Sequence, residues 1–295
     1  MGGNQSCITE LILLGFQLGA EMEVLLFWVF SLLYVFSLMA NGMILGLINL
    51  DPRLHTPMYF FLSHLAVIDI SYICSNFPNM LENLMNLVWT NTSTECMILV
   101  VMSYDRFVVI WHPLQYTVIM NWRVCTVVSV TSWACGFFLA LISLILLLRL
   151  PFCGPQEVNH FFCETLSVLK LACADTGTSE IFVFAGGAFV LVGPLYLITL
   201  SYLPILWTIL KIQSKEGRKK TFYTCSSHLC VVGLYFGIAM MVYLVPDNSQ
   251  QQEQQKVLTL FYSVFNPLLN PLIYSLRNDQ VKGAFYRALW KKRTM

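Results

Sequence analysis

Charge is what this sequence has least of. Only 11% of its 295 residues are Asp, Glu, Lys or Arg, against 57% hydrophobic; a soluble domain is about a quarter charged. A soluble globular domain is therefore excluded. The chain reads as a polytopic membrane protein in which the domain is one bundle. Residues 1–23 hold acids and no basic residue, so they do not form a cleavable signal peptide, and the first span itself directs insertion. No CxxC…CxxC or HExxH spacing occurs, which leaves a structural zinc site or a zinc protease without support. No nucleophile–base set is in view, so no enzyme is expected. The net charge of +1 points to no partner, and no nucleic acid is expected.

What is present is length in apolar runs. A span needs about 20 mostly apolar residues. The sequence offers seven runs, at about 24–49, 57–81, 88–111, 123–148, 181–210, 222–245 and 257–276. The predicted fold is an all-α membrane protein, a seven-transmembrane helix bundle over residues 24–276. Residues 1–23 precede it as an extracellular N-terminus, and residues 277–295 follow as a cytoplasmic tail. In that tail Val281, Phe285, Ala288 and Leu289 share one helical face, with Lys282, Arg287, Lys291 and Lys292 elsewhere. A short amphipathic helix lying on the inner leaflet fits this pattern. The side of the turns after the first, third and fifth spans, with the tail, holds 14 of the 17 Lys and Arg residues, counting Arg106 at the end of the third span. Excess Lys and Arg marks the cytoplasm, so the N-terminus is expected outside and the C-terminus inside.

Charges inside spans are costly and usually functional. Three places carry them. Asp69 sits in the middle of the second run and Glu95 in the third. Asp105 and Arg106 lie between the apolar stretches Met97–Met102 and Phe107–Trp111. Adjacent Asp105 and Arg106 can hold each other at the mouth of the bundle, and His112-Pro113 then stops the helix. Two buried carboxylates cannot both ionise without a cation or a proton between them, so Asp69 and Glu95 suggest either a shared cation or a protonated acid in a hydrogen-bond network.

Asp105-Arg106-Phe107 resembles the Asp-Arg-Tyr signature of rhodopsin-like G-protein-coupled receptors. Met102-Ser103-Tyr104-Asp105-Arg106 followed by His112-Pro113-Leu114-Gln115-Tyr116 resembles the olfactory receptors. Further blocks agree in order: Leu54-His55-Thr56-Pro57-Met58-Tyr59, Ser201-Tyr202, Lys220-Thr221-Phe222 through Ser227-His228-Leu229, and Asn266-Pro267-Leu268-Leu269-Asn270-Pro271 through Tyr274-Ser275. The loop Leu150-Pro151-Phe152-Cys153-Gly154-Pro155 is similar to that of family 2, subfamily A.

The resemblance implies a receptor for small volatile odorants, embedded in the lipid bilayer. It implies coupling to a stimulatory olfactory-type heterotrimeric G protein that raises cAMP. Coupling and activation fall to Asp105, Arg106, Tyr202, Lys219, Lys220, Asn270, Pro271 and Tyr274. The ligand pocket falls to Thr92, Ser93, Phe236, Ala239, Met240, Tyr243 and Tyr262. It assigns a sodium ion to Asp69, Glu95 and Asn270, and a contact between spans to Asn41-Gly42. Asn4 becomes a glycan site, whereas the sequon at Asn91 lies at or inside the third span, where modification is not expected. No other cofactor is implied.

The sequence has ten Cys. Cys153, Cys163 and Cys173 fall in the long loop after the fourth span, on the side where disulfides persist. The resemblance pairs Cys153 with Cys173 and sends Cys163 to a Cys at the outer end of the third span. That Cys is missing, so Cys163 is expected free unless Cys7 reaches it. Only 37 positions separate Asp69 from Arg106; the resemblance implies roughly 15 more, although two spans of about 20 residues plus a turn still fit between Pro57 and Trp111. Phe107 stands for the signature Tyr, Trp111 stands where the family has Cys, and Pro204 lies inside the fifth span, where it removes a hydrogen bond. These departures bear on coupling. The shortened region and the missing Cys motivate a second reading, a non-signalling or poorly trafficked protein of the same fold. A transporter or channel would need a charged path or an inverted repeat, and neither is visible.

Overall fold

The computed structural model describes residues 12–13, 20–76, 85–150, 157–158, 177–244, 265–274 and 279–291. The long helices are Ala20–Leu50, Pro57–Asn76, Met85–Trp111, Trp122–Leu148, Gly177–Lys211 and Lys215–Leu244. Residues 265–274 are the described part of the seventh span. Among the described residues, five of these helices are long and apolar enough to cross a membrane. The third falls outside that set because Asn91, Thr92, Ser93, Thr94, Glu95, Asp105 and Arg106 dilute its apolar content. Its 27 residues nevertheless reach about 40 Å at 1.5 Å per residue, against a hydrocarbon core of about 30 Å. By length alone the third helix therefore suffices for a crossing. The described residues hold just two strands, Ile12–Leu13 and Glu157–Val158, each of two residues and paired in parallel.

Local chemistry sets the helix ends. Asn121 caps the fourth span, its Oδ1 accepting from the Val124 N–H at 3.0 Å, which satisfies one of the first turn's unpaired donors. Ser214 Oγ accepts from the Gly217 N–H at 3.2 Å where the sixth span begins. Pro57 opens the second span, a position where its missing N–H costs nothing. The fifth span runs unbroken through Pro194 and Pro204. Pro204 removes one ladder donor, and the Thr208 hydroxyl donates back to the Pro204 carbonyl at 2.9 Å.

The third helix is the axle. It packs against the second, fourth, fifth and sixth, and Cys96, Ile98, Leu99, Met102 and Ser103 are almost wholly buried. The first helix is peripheral. Its Val24, Leu25, Phe27, Trp28 and Leu32 face outward, as suits a helix solvated by lipid. Its tie to the seventh span is polar. Buried Asn41 donates through Nδ2 to the Pro267 carbonyl at 2.8 Å and to the Ser37 carbonyl at 3.1 Å. The second and fourth helices are joined by Trp133 Nε1, which donates to His64 Nδ1 at 3.2 Å.

The tail helix Asp279–Lys291 docks on the first turn of the chain. Val281 and Ala284 are buried in the contact, whereas Phe285 is 37% exposed and turned off the protein face. Gln280 Oε1 accepts from the Tyr59 hydroxyl at 2.9 Å. Arg287 grips Asp51 through Nε at 2.9 Å and Nη2 at 2.5 Å, and Asp51 also accepts from the Arg53 N–H while capping the turn Pro52–Leu54. The Arg287 hydrogen bond, then the Arg53 N–H, hold the Asp51 carboxyl below its ordinary range. A depressed carboxylate contributes stability above its unfolded pKa, about 3.9, and loses it as pH falls through the folded value. Tail docking is therefore expected to persist from neutral pH to about 4 and to weaken below. Amide exchange of the tail helix at pH 6 and pH 3 checks this, and Asp51→Asn is expected to raise exchange at pH 6.

Candidate functional site: a buried acid pair and an unclaimed arginine

Two polar centres lie along the third helix. The first joins three helices. Asn270 Nδ2 is 3.2 and 3.1 Å from the two carboxylate oxygens of Asp69 and 3.3 Å from Glu95 Oε1. Asp69, Glu95 and Asn270 are 2%, 6% and 2% exposed. One amide nitrogen carries two hydrogens, yet three oxygens surround this one, at distances longer than the roughly 2.7–2.9 Å of strong charge-assisted bonds. The carboxylates therefore retain unused lone pairs at a place where repulsion between them must be relieved. A donor set of two carboxylates and an amide fits a small hard cation, since such ions take oxygen ligands; it fits a shared proton equally. Among the described residues no group of three or more His, Cys, Asp or Glu side chains could hold a metal, so the pair does not suit a zinc-like ion.

The second centre lies about three turns along the helix from Glu95. Asp105 is buried and accepts from the Tyr116 hydroxyl at 2.8 Å. Tyr116 belongs to the short helix Tyr116–Ile119 in the following loop. Burial, with the Asp105 charge next, pushes the Tyr116 phenol upward, so it stays a donor. The expected pairing of Asp105 with its neighbour is not formed: no ion pair of Arg106 occurs among the described residues, and attraction between the two acts only at longer range. Successive residues on a helix diverge by about 100°, which turns the two side chains apart. Arg106 Nη2 instead points at Met58 Sδ, and its Nε is buried without a partner. A thioether is a weak acceptor for a guanidinium with five donors. The cation also acts electrostatically on Tyr202, Cys225, His228 and Tyr274. Around it, Tyr202 shares a 2.9 Å hydrogen bond with His228 Nδ1, and their rings stack at 5.8 Å. Tyr274 is buried with its hydroxyl unpartnered, and Pro271 is buried beside Asn270. Lys219 is exposed, with Nζ 5.8 Å from the Tyr223 ring centroid; the Lys220 side chain lies outside the described residues.

Toward the other end of the third helix, Tyr235 organises the candidate pocket residues. Its hydroxyl donates to the Thr92 carbonyl at 3.1 Å and accepts from Cys96 Sγ at 3.5 Å. Phe236 lies edge-on to it at 5.2 Å. Phe236 and Ala239 are buried, Met240 is half-buried, and Ser93 Oγ is buried without a partner. The side chains of Tyr243 and Tyr262 lie outside the described residues, as do Asn4, Cys7, Cys153, Cys163 and Cys173. Cys96 is a buried free thiol. Asn91 is 1% exposed and donates to Ser71 Oγ at 3.3 Å.

His228, Tyr235, Met58 and Tyr116 are what residue-by-residue reading of the sequence leaves without a role. His228, Tyr116 and Met58 stand inside motif blocks, which was the available signal. Nothing local marks Tyr235.

A sequence profile of the olfactory receptors matches residues 30–292. This chain belongs to the olfactory receptor family. It is 62% identical to human olfactory receptor 2A2 over 310 aligned positions, covering all of this chain and 98% of that protein. It is 61% identical to human olfactory receptor 2A5 and 56% identical to mouse olfactory receptor 2A7, each covered end to end. As a member it is a multi-pass seven-helix membrane protein and not an enzyme. The alignments run to 310 positions against the 295 residues here, so these relatives hold positions that this olfactory receptor lacks.

The acid pair yields a direct expectation. Converting Asp69 to Asn leaves Glu95 buried with fewer donors, and Glu95→Gln does the reverse. The double variant removes the repulsion together with both charges. Each single change is expected to lower the thermal midpoint of the purified protein more than the double change does; additive losses would overturn shared occupancy of one site.

Proposed function

We propose that this chain is an odorant receptor of the plasma membrane, with its N-terminus outside, that binds small volatile molecules and activates a stimulatory olfactory-type G protein to raise cAMP. The observation that carries the reading is Arg106. It is a half-buried guanidinium on the basic side of the bundle, with a buried Nε that has no partner and no carboxylate paired to it among the described residues. A partner that offers carbonyl or carboxylate oxygens can claim it. Its neighbours Tyr202 and His228 tie the fifth and sixth helices together, so outward movement of the sixth would expose Arg106. Ligand binding above, near Thr92, Phe236 and Tyr235, would favour that state as a population shift.

Asp69, Glu95 and Asn270 would hold a sodium ion, which would balance the acid pair at the hinge between the second, third and seventh spans. The non-signalling reading draws on the shortened region and on Cys96, a free thiol that cannot replace the missing outer Cys. Against it stands the third helix, which is long enough for a full crossing.

Cell-surface labelling with a cAMP assay separates these readings. Arg106→Ala is expected to abolish cAMP responses to a panel of volatile alcohols, aldehydes and esters at unchanged surface level. Full signalling by the variant would remove Arg106 from the mechanism, and a wild-type chain at the surface that answers nothing would favour the second reading. Sodium, at constant ionic strength, is expected to raise the thermal midpoint, and the double acid variant should lose that response.

A further inference from the structure

The Trp at position 111 has a partner that the sequence does not announce. Trp111 ends the third helix, and its ring stacks on Phe107 at 6.0 Å and 21° and on Trp207 of the fifth span at 5.9 Å and 25°. Lys211, one turn beyond Trp207 and the last residue of the fifth span, sets its Nζ 3.2 Å from the Trp207 ring centroid. The result is a continuous column, Phe107–Trp111–Trp207–Lys211, that crosses from the third helix to the fifth. Stacked aromatic pairs and a cation over an indole each attract beyond the area they bury. Lys211 also sits where a helix favours a cation, at its carboxyl end. The column adjoins Arg106 in sequence, and Tyr202 lies one turn and a half before Trp207 on the same fifth span.

We propose that Trp111, Trp207 and Lys211 form a clasp that fixes the fifth span against the third and so positions the rim at which a G protein reaches Arg106. This rests on the reading of that face as the coupling face. The Trp at position 111 is then a positioning residue whose stack replaces whatever a smaller side chain would do there. With the fifth span held, movement of the sixth alone opens the mouth, and the docking rim keeps its shape. Release of the clasp lets the rim wander, which costs coupling without touching the odorant-binding residues.

The test uses membranes from cells expressing the full chain at matched surface levels. GTPγS loading of added purified stimulatory G protein is the readout, so no odorant needs to be known. Trp207→Ala and Trp111→Ala are each expected to lower loading roughly two- to tenfold, the equilibrium equivalent of one aromatic contact. The double variant should lose little more than either alone, and Trp207→Phe and Lys211→Arg should retain most of the loading. A second measurement is independent of signalling: Trp111→Cys with Trp207→Cys should crosslink with a short bifunctional thiol reagent, which spans more than the roughly 7 Å Cα separation that a direct disulfide tolerates. Additive losses, or unchanged loading in both single variants with a responsive wild type, would overturn the proposal. Absence of the crosslink would overturn the contact itself. Crosslinking with a wild type that loads no G protein would instead sink the receptor reading and the positioning role together, leaving the contact intact.

Discussion

Two carboxylates buried against one amide are the constraint around which this bundle is built. Asp69, Glu95 and Asn270 come from three different helices, and each makes sense only with the other two in place. An isolated buried carboxylate is too expensive to keep, so the second, third and seventh spans are held in one relative register by the need to share charge. Asn41 extends the same logic to the first helix through the Pro267 carbonyl. Lipid supplies no hydrophobic drive between helices. Packing around the third helix and a handful of polar ties must therefore specify the arrangement.

The same economy explains the contrast between the two ends of the third helix. Asp105 has found a donor in Tyr116 and is settled. Arg106, its neighbour, has been turned by helix geometry toward Met58 and is not. Settling one member of an adjacent pair while leaving the other poorly matched creates a site whose free energy falls when a better acceptor arrives. The adjoining aromatic column is of opposite character, with every ring engaged. A rigid rim beside a dissatisfied cation is a coherent surface for a partner.

Much of this was legible in the sequence. Apolar run lengths pointed to a seven-span bundle, the buried positions of Asp69 and Glu95 follow from the cost of charge in lipid, and Asn270 came from the motif resemblance. By its resemblance to the family the sequence also suggested a shortened second-to-third region, and the relatives hold positions that this chain lacks. What could not be read was direction. Adjacency of Asp105 and Arg106 suggested a pair, but only the helix turn shows that they point to different neighbours. Trp111 looked like a departure until Trp207, 96 residues away, was seen to stack on it. Tyr235 carries two interhelical bonds, yet in sequence it is one aromatic in an apolar run. Partner choice across helices depends on rotation and depth, and neither is written in a local pattern.

The grip of Arg287 on Asp51 spans nearly the whole chain. In order of synthesis, Asp51 emerges among the first residues to leave the ribosome and Arg287 among the last. Until the tail arrives, the first turn holds a carboxylate with only the Arg53 N–H to answer it. The lock can close only on a chain that has been made through to its final helix. That makes the tail a fastener added after the bundle is threaded, and it gives the finished molecule an exposed contact that a chain broken off before Arg287 does not have.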